Sequence, residues 1–247
     1  MKITSTNNEL IKQYSKLLQK KYRTETGKFL LEGYKAIKEA YDFGIEIDCI
    51  FVDKEHIRDY EFAQKLIIET NSAVLKKISS TESVPPSVAI GNQKEYNIKD
   101  FKNLKKVILL ENIKDPGNLG TIIRSASALN CEGIVLYKDC TDIYNPKCVR
   151  SAVGNLWKIP IAYTGNFSDL ESTFEKFIKI ATLPKSTNLL KNYKLKTPAL
   201  MMFGSEADGL SEELQKFANE NVKIEMNENV ESLNLATSAS IIMYELF

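Results

Sequence analysis

The sequence is poor in the side chains that most metal centres and hydrolytic triads require. It has a single histidine, His56, and only four cysteines, none of which forms a C-x-x-C pair. Zinc sites need clustered cysteine and histidine ligands, and Ser-His-Asp or Cys-His catalysis needs a histidine beside a nucleophile motif, which His56 lacks. We therefore predict no metal site, no histidine-based hydrolase, and reduced cysteines that are mostly buried.

Long apolar runs and phosphate-binding fingerprints are also missing. No stretch approaches the roughly 20 residues of a membrane-spanning helix, and the N-terminal MKITSTNNELIKQYSK lacks the apolar core of a signal peptide. These features predict a cytoplasmic protein with no membrane partner. No G-x-G-x-x-G follows an apolar run, and Lys185-Ser186-Thr187 lacks the glycines of a phosphate-binding loop. Common dinucleotide and nucleoside-triphosphate sites are therefore disfavoured.

Apolar runs and helical periodicity alternate along the 247 residues, a pattern typical of α/β layer proteins. In the first part we expect helix 8–21, strand 29–31, helix 32–43, strand 47–52, helix 60–70, strand 73–78 and strand 88–90. In the second part we expect strand 106–111, helix 119–130, strand 133–137, helix 145–153, strand 159–163, helix 168–179, strands 178–182 and 199–203, helix 211–220, strand 222–226 and helix 234–246.

A polar stretch divides these two series. Residues 91–105, GNQKEYNIKDFKNLK, show no sustained period and are typical of a connection. We therefore expect a small α/β domain over residues 1–95, a linker over 96–105 and a second α/β domain over 106–247.

Charge is unevenly distributed although the net charge is only +1. Residues 1–38 hold nine Lys or Arg against three acids, an excess of six. Such a surface attracts a polyanion because binding releases counterions. An ordinary solvated helix surface has the same composition, and charge alone favours that simpler interpretation.

The first of three polar clusters in the second domain is DPGNLGTIIR, residues 115–124. Its Pro-Gly pair indicates a turn. Asn118 is a candidate N-cap for the following helix, and Arg124 lies about one and a half turns into it. A capping asparagine and a solvated arginine would be an equally good explanation.

The other two clusters also lie beside predicted strands or helices. The second, FGSEADGLS at 203–211, has glycines that let the backbone approach a ligand, and Ser211 starts an acidic helical turn. The third, ESLNLA at 231–236, opens the last helix, where Ser232 or Asn234 can be the cap. The small residues that follow permit close packing, either within the chain or between subunits.

Taken together, these stretches resemble the motifs of the SpoU, or TrmH-type, branch of the SPOUT methyltransferases. Asn118 and Arg124 match N-x-x-x-x-x-R, FGSEADGL matches F-G-x-E-x-x-G-[LV], and SLNLATSASI matches S-L-N-[VL] followed by small residues. The resemblance covers about residues 106–247. Residues 1–95, with NNELIKQYSKLLQKKYR and FLLEGYKAIKEA, resemble the small α/β RNA-binding domain that often precedes this catalytic domain.

The resemblance implies a fold, a reaction and a cofactor. Family members have a parallel α/β sheet whose C-terminal region forms a trefoil knot, and two subunits usually pair to complete the active site. They transfer the methyl group of S-adenosylmethionine to a ribose 2′-hydroxyl in RNA, a reaction that needs no metal. We therefore expect S-adenosylmethionine as cofactor, RNA as partner and a homodimer.

The resemblance also assigns residues. The implied catalytic residues are Arg124, Asn118, Ser232 and Asn234. The implied cofactor-binding residues are Gly204, Ile224, Leu233, Thr182 and Glu206, of which the last would hydrogen-bond the loop backbone. A guanidinium holds its proton throughout the physiological range and is a poor base. We therefore expect Arg124 to bind phosphate and steady the developing oxyanion.

Substrate choice rests on family-level analogy. The N-terminal domain is similar to that of large-subunit rRNA enzymes, which favours rRNA over tRNA. Three alternatives stay open: a tRNA 2′-O-methyltransferase, a non-catalytic RNA-binding module of the same fold, and an α/β enzyme of another class with a nucleotide cofactor. Binding of S-adenosylmethionine separates an enzyme from a pure RNA-binding module.

Overall fold

The structure, a computed structural model, describes all 247 residues. They form two compact units, Met1–Lys94 with Asp142–Trp157, and Glu95–Thr141 with Lys158–Phe247. The domain boundaries drawn from the sequence stay a prediction. The grouping of Asp142–Trp157 with the N-terminal residues is a feature that the sequence pattern did not indicate.

The helices and strands alternate along the chain. Up to residue 92 they are α1 (Glu9–Ser15), α2 (Lys20–Thr26), β1 (Lys28–Glu32), α3 (Tyr34–Asp42), β2 (Ile47–Asp53), β3 (Ile67–Thr70), α4 (Ser72–Ile78) and β4 (Ser87–Asn92). After it they are β5 (Lys106–Glu111), α5 (Pro116–Ala128), β6 (Gly133–Tyr137), α6 (Pro146–Ala152), β7 (Ile161–Thr164), α7 (Phe167–Thr173), β8 (Ile178–Thr182), β9 (Ala199–Phe203), α8 (Glu212–Phe217), β10 (Glu220–Val222) and α9 (Leu235–Leu246). Short 3-10 helices occupy Lys16–Leu18, Ile98–Asn103 and Leu190–Asn192, and the longer 3-10 segment Lys54–Leu66 is interrupted at Tyr60 and Ala63.

The first unit is built on a four-stranded mixed sheet in the order β1-β4-β2-β3. Strand β4 runs antiparallel to β1 and β2, whereas β2 and β3 are parallel. One hydrophobic cluster joins Ile11 and Leu17, from the N-terminal helices, to Phe51 and Ile90 of the sheet and Leu75 of α4. Helix α3 contacts β1 and β4 of this sheet.

The second unit contains a six-stranded sheet in the order β10-β8-β9-β5-β6-β7, and every pairing in it is parallel. Strands β6 and β9 are buried along their whole length. Parallel sheets are covered on both faces and therefore have nearly continuous apolar strands. None of the helices in the structure is long and apolar enough to span a bilayer.

Most predicted elements are confirmed, but one pair is wrong. The predicted helix 60–70 is a 3-10 segment followed by β3, and the predicted strand 73–78 is helix α4. Asn71 explains the change, because its side chain accepts a hydrogen bond from the Val74 backbone N–H and so starts α4. Short apolar runs do not distinguish helix from strand without such a cap.

Several element ends also differ from prediction. The predicted helix 168–179 ends at Thr173, and the last strand of the sheet is Glu220–Val222. None of the four cysteines forms a disulfide, and all four are buried, as predicted.

A buried ion pair ties Asp142–Trp157 into the first unit. Arg23 is only 2% exposed, and its Nη2 and Nε lie 2.7 and 2.8 Å from the same Oδ2 atom of Asp142. Its Nη1 donates to the backbone carbonyl of Leu17 at 2.8 Å. A charged group this deeply buried is tolerated only because both partners satisfy it.

Candidate active site

A cavity of about 780 Å³ opens where three parallel strands of the second unit end. Its walls are the chain segments 182–185, 203–210, 222–226 and 232–235, with side chains from α8 and α9 closing it. The first three segments begin at the last residues of β8, β9 and β10. Ligands of open α/β sheets bind at the carboxyl ends of strands, so this cavity is the candidate site.

The loop after β9 folds back on itself along one wall. Ser205 and Gly209 exchange backbone hydrogen bonds of 3.2 and 3.0 Å, and Gly209 has a φ of +68°. A Cβ at Gly204 would lie 1.9 Å from the carbonyl carbon of Gly209. The fold of this loop therefore requires glycine at position 204, because no side chain can enter that space.

Helix α5 begins earlier than the sequence suggested. Its N-cap is Asp115, whose side chain accepts a 2.9 Å hydrogen bond from the Asn118 backbone N–H, and Pro116 occupies the first turn. The prediction that Asn118 caps this helix is wrong, because proline presets the helical φ two residues earlier. The Asn118 side chain is therefore free to make other contacts.

A chain of side-chain hydrogen bonds joins the three polar clusters. Asn118 Nδ2 donates to Glu206 Oε1 at 2.5 Å, and Asn234 Nδ2 donates to Asn118 Oδ1 at 3.0 Å. Asn234 also caps α9, since its Oδ1 accepts from the backbone N–H groups of Ala236 and Thr237. Of the two candidate caps, Asn234 is thus the one used. Glu206 contacts the Asn118 amide and not the loop backbone, which corrects the expectation for that residue.

The amide orientations in this chain follow from its two ends. A carboxylate only accepts hydrogen bonds, so Glu206 requires the NH₂ group of Asn118 on its side. The Oδ1 atom of Asn118 then faces Asn234. At the other end, the backbone N–H groups of α9 hold Asn234 Oδ1, so its NH₂ group points to Asn118.

The remaining predicted residues fall into two groups. Gly204, Ile224, Leu233, Thr182 and Ser232 line the cavity together with Glu206 and Asn234. The Thr182 hydroxyl donates to the Met202 carbonyl at 2.9 Å, whereas the Ser232 hydroxyl makes no hydrogen bond. Asn118 and Arg124 are not part of the cavity wall.

Arg124 is exposed on α5 and forms no ion pair or hydrogen bond. Helix α5 packs on α9, where Ser240 Oγ donates to Ser125 Oγ at 2.7 Å. The helix therefore holds a free cation six residues beyond Asn118, about 9 Å further along its axis. Such a group is available to an anionic ligand.

Sequence reasoning missed a buried acid that supports the cavity loop. Glu111 ends β5 with its side chain 4% exposed. It accepts hydrogen bonds from Lys138 Nζ and from the Ser211 backbone N–H, each at 2.8 Å. An acid closing the apolar run VILLE was the available signal.

A second acid and a tyrosine complete this cluster. Tyr137 donates to Glu213 Oε2 at 2.7 Å, and Lys138 Nζ lies 3.2 Å from the same atom. Burial, with the Glu213 carboxylate adding to it, raises the pKa of Tyr137 to about 12. Burial lowers the pKa of Lys138, but the Glu111 and Glu213 carboxylates outweigh it and the net pKa is raised. The cluster is therefore a fixed charge network that anchors the start of α8.

Two family models match the chain. The model described as the SpoU rRNA Methylase family matches residues 105–244, and the one described as the MRM3-like substrate binding domain matches residues 8–89. The first match includes all three polar clusters. The second covers strands β1, β2 and β3 and the first residues of β4.

Known proteins are similar to the chain over nearly its whole length. An uncharacterised tRNA/rRNA methyltransferase of Synechocystis is 33% identical over 98% of this chain and 92% of its own. The 23S rRNA guanosine 2′-O-methyltransferase RlmP of Bacillus subtilis is 28% identical over 99% and 98%. The crystal structure of an AdoMet-bound rRNA methyltransferase from Sinorhizobium meliloti has a TM-score of 0.90 and 29% identity, covering 99% of this chain and 96% of its own.

The predicted fold, a parallel α/β methyltransferase domain preceded by a small substrate-binding domain, is confirmed. The trefoil knot stays a prediction. With more than half of its residues matched by the first family model and a relative 33% identical over nearly its whole length, the chain belongs to the SpoU rRNA methylase family.

Proposed function

We propose that this protein transfers the methyl group of S-adenosylmethionine to a ribose 2′-hydroxyl in ribosomal RNA of the large subunit. The hydrogen-bond chain Glu206–Asn118–Asn234 carries the proposal, because it joins all three family motifs beside one cavity. The activity for which RlmP is named, methylation of a guanosine 2′-hydroxyl in 23S rRNA, supports the substrate class. The same setting implies action in the cytoplasm, where ribosomes are assembled.

The cavity suits S-adenosylmethionine. The cofactor has an adenine that needs apolar contacts and a ribose and amino-acid group that need hydrogen bonds. Ile224 and Leu233 offer apolar surface, Gly204 contributes backbone to the cavity wall, and Thr182 is the last residue of β8. When bound, S-adenosylmethionine supplies a methyl group already activated on a sulfonium.

The other residues act on the RNA. A ribose hydroxyl is a weak nucleophile, so the site must hold it in line and favour its oxyanion character. Arg124 is a free cation that binds the phosphate next to the target ribose and steadies the developing charge. Hydrogen bonds fix the orientation of the Asn118 and Asn234 amide groups. The Ser232 hydroxyl, which has no partner within the chain, orients the ribose.

A homodimer is part of the proposal. The last helix exposes Ile241 and Tyr244, the latter to 77%. These apolar side chains lie on the helix that packs against α5, which carries Arg124. A second subunit at this surface would bring its own groups towards Arg124.

Replacing Gly204 with alanine is expected to abolish binding of S-adenosylmethionine, because the new Cβ would meet the Gly209–Leu210 backbone at 1.9 to 2.1 Å. Isothermal titration calorimetry measures the affinity. Gly165→Ala is the matched control, since a Cβ there meets nothing within 4 Å, and its affinity should equal that of the wild type. Wild-type affinity in Gly204→Ala would disprove the assignment of this loop to the cofactor.

Incubation with methyl-labelled S-adenosylmethionine and unmodified 23S rRNA, assembled large-subunit particles or tRNA tests the substrate class. We expect label in the rRNA, either free or in the particle, and none in tRNA. Label in tRNA alone would establish the tRNA enzyme instead. A chain that binds rRNA but neither binds the cofactor nor transfers a methyl group would be the non-catalytic module.

A further inference from the structure

The first unit has an exposed lysine cluster that the proposed active site does not use. It consists of Lys16, which lies in the 3-10 helix after α1, and Lys20, Lys21 and Tyr22 in the first turn of α2. We call these four residues the α1–α2 patch. Leu17, which follows Lys16 in the chain, is 2% exposed and belongs to the core of this unit. The backbone that carries the patch is therefore held in place by core packing.

Most of the positive charge in this patch is not neutralised. Lys16 and Lys20 form no ion pair, and Lys21 Nζ lies 3.9 Å from Glu25 Oε1 with both side chains more than half exposed. A pair this long and this exposed contributes little attraction. The neighbouring Lys12, by contrast, is held by Glu9 at 2.7 Å.

Two of these cations lie close to an aromatic ring. The Nζ atoms of Lys16 and Lys21 lie 5.4 and 5.8 Å from the centroid of the Tyr22 ring. Lysines interleaved with an aromatic ring suit a nucleic-acid strand, in which charged phosphates and flat bases alternate. The patch therefore holds two cations beside one ring, and its lysines offer the contacts to phosphate.

In a second aromatic cluster of the same unit, the lysine that contacts a ring is already paired. Tyr34, Tyr41 and Phe62 cluster beside α3, with centroids 5.0 Å apart for Tyr41 and Phe62. The lysine among them, Lys38, lies 2.6 Å from a carboxylate oxygen of Asp42. The charge of Lys38 is therefore already compensated by Asp42.

We propose that the α1–α2 patch binds the phosphate backbone of the RNA substrate. The inference rests on the proposed function for the identity of the RNA, but its binding test does not require methyl transfer. None of the four residues of the patch belongs to the cavity wall or to the proposed catalytic residues, so we expect the patch to set affinity for the RNA and to leave the rate of the bound complex unchanged.

The test is the salt dependence of RNA binding by the full chain carrying Lys16→Ala, Lys20→Ala and Lys21→Ala together. Because this variant no longer neutralises three phosphates, the slope of log affinity against log salt concentration should fall by roughly 2 to 3, at 0.7–0.9 per phosphate. The probe is a 23S rRNA fragment, measured by fluorescence anisotropy between low and physiological salt. Replacing the same three lysines with arginine keeps the charge and should keep the slope.

The matched control removes the same charge elsewhere in this unit. Lys35→Ala, Lys54→Ala and Lys65→Ala change three exposed lysines that have no ion pair, and should lower the slope by less than about 1. An equal fall for both triple variants, or no fall for the α1–α2 variant, would overturn the proposal.

Kinetics separate this inference from the proposed function. If the wild type transfers methyl groups, the α1–α2 variant should raise the KM for RNA and keep both kcat and the affinity for S-adenosylmethionine. If the wild type transfers none, the proposed function fails while the slopes still decide the role of the patch.

Discussion

Replacing Arg124 with alanine is expected to slow methyl transfer by roughly 10²–10³-fold, the usual effect of removing one oxyanion-stabilising group. The side chain is exposed and has no partner within the chain, so its removal leaves the fold and the cavity intact. The affinity for S-adenosylmethionine should therefore equal that of the wild type. Single-turnover transfer to the RNA substrate, with cofactor affinity measured separately, checks both halves of the prediction.

Two further variants make this result specific. Arg124→Lys keeps the charge but not the planar fork that grips a phosphate with two hydrogen bonds, and it should fall between wild type and alanine. Arg58→Ala removes an exposed, unpaired arginine of the first unit and should leave the chemical step unchanged. Wild-type transfer by Arg124→Ala would remove this residue from the mechanism.

Replacing Arg23 with alanine is expected to lower the free energy of unfolding by about 3–5 kcal/mol, the usual cost of breaking a buried ion pair from one side. Asp142, whose side chain is 15% exposed, would keep a buried charge without its cation, and the Leu17 carbonyl would lose its donor. Urea unfolding followed by circular dichroism measures the change.

Two further variants are the controls: a substitution at a nearby exposed residue, and a double variant that removes both charges of the ion pair. Lys21→Ala, at an exposed position two residues away, should change stability by less than about 0.5 kcal/mol. The double variant Arg23→Met with Asp142→Leu removes both charges and should recover most of the stability. A decrease below about 1 kcal/mol in Arg23→Ala would show that this pair does not hold Asp142–Trp157 in the first unit.

The alternation of helices and strands could be predicted because apolar periodicity differs between the two. It failed where local capping decided the outcome: Asn71 starts α4 inside a run that reads equally well as a strand, and Asp115 with Pro116 starts α5 before Asn118. The grouping of Asp142–Trp157 depends on Arg23, which is 119 residues away in the chain. A pairing between residues so far apart cannot be predicted from the local sequence pattern.

In the candidate site, too, local features could be predicted from the sequence and long-range contacts could not. The three motifs could be recognised in the sequence; the second and third line one cavity, and hydrogen bonds of Asn118 join the first motif to them. The hydrogen bonds between them span 88 and 116 residues, so the partner of each amide could not be predicted from spacing. The position of Glu111 at the end of an apolar run indicates a buried acid, but its partner Ser211 lies 100 residues further on and could not be predicted.

The chemical position of the transferred methyl group tests the central claim most directly. RNA methylated by the wild-type protein would be digested completely to nucleosides, and the labelled product would be identified by mass spectrometry. We predict a nucleoside whose extra methyl group lies on the ribose and whose phosphodiester bond resists alkali in the intact RNA. A label on the base, with the ribose unmodified, would contradict the account.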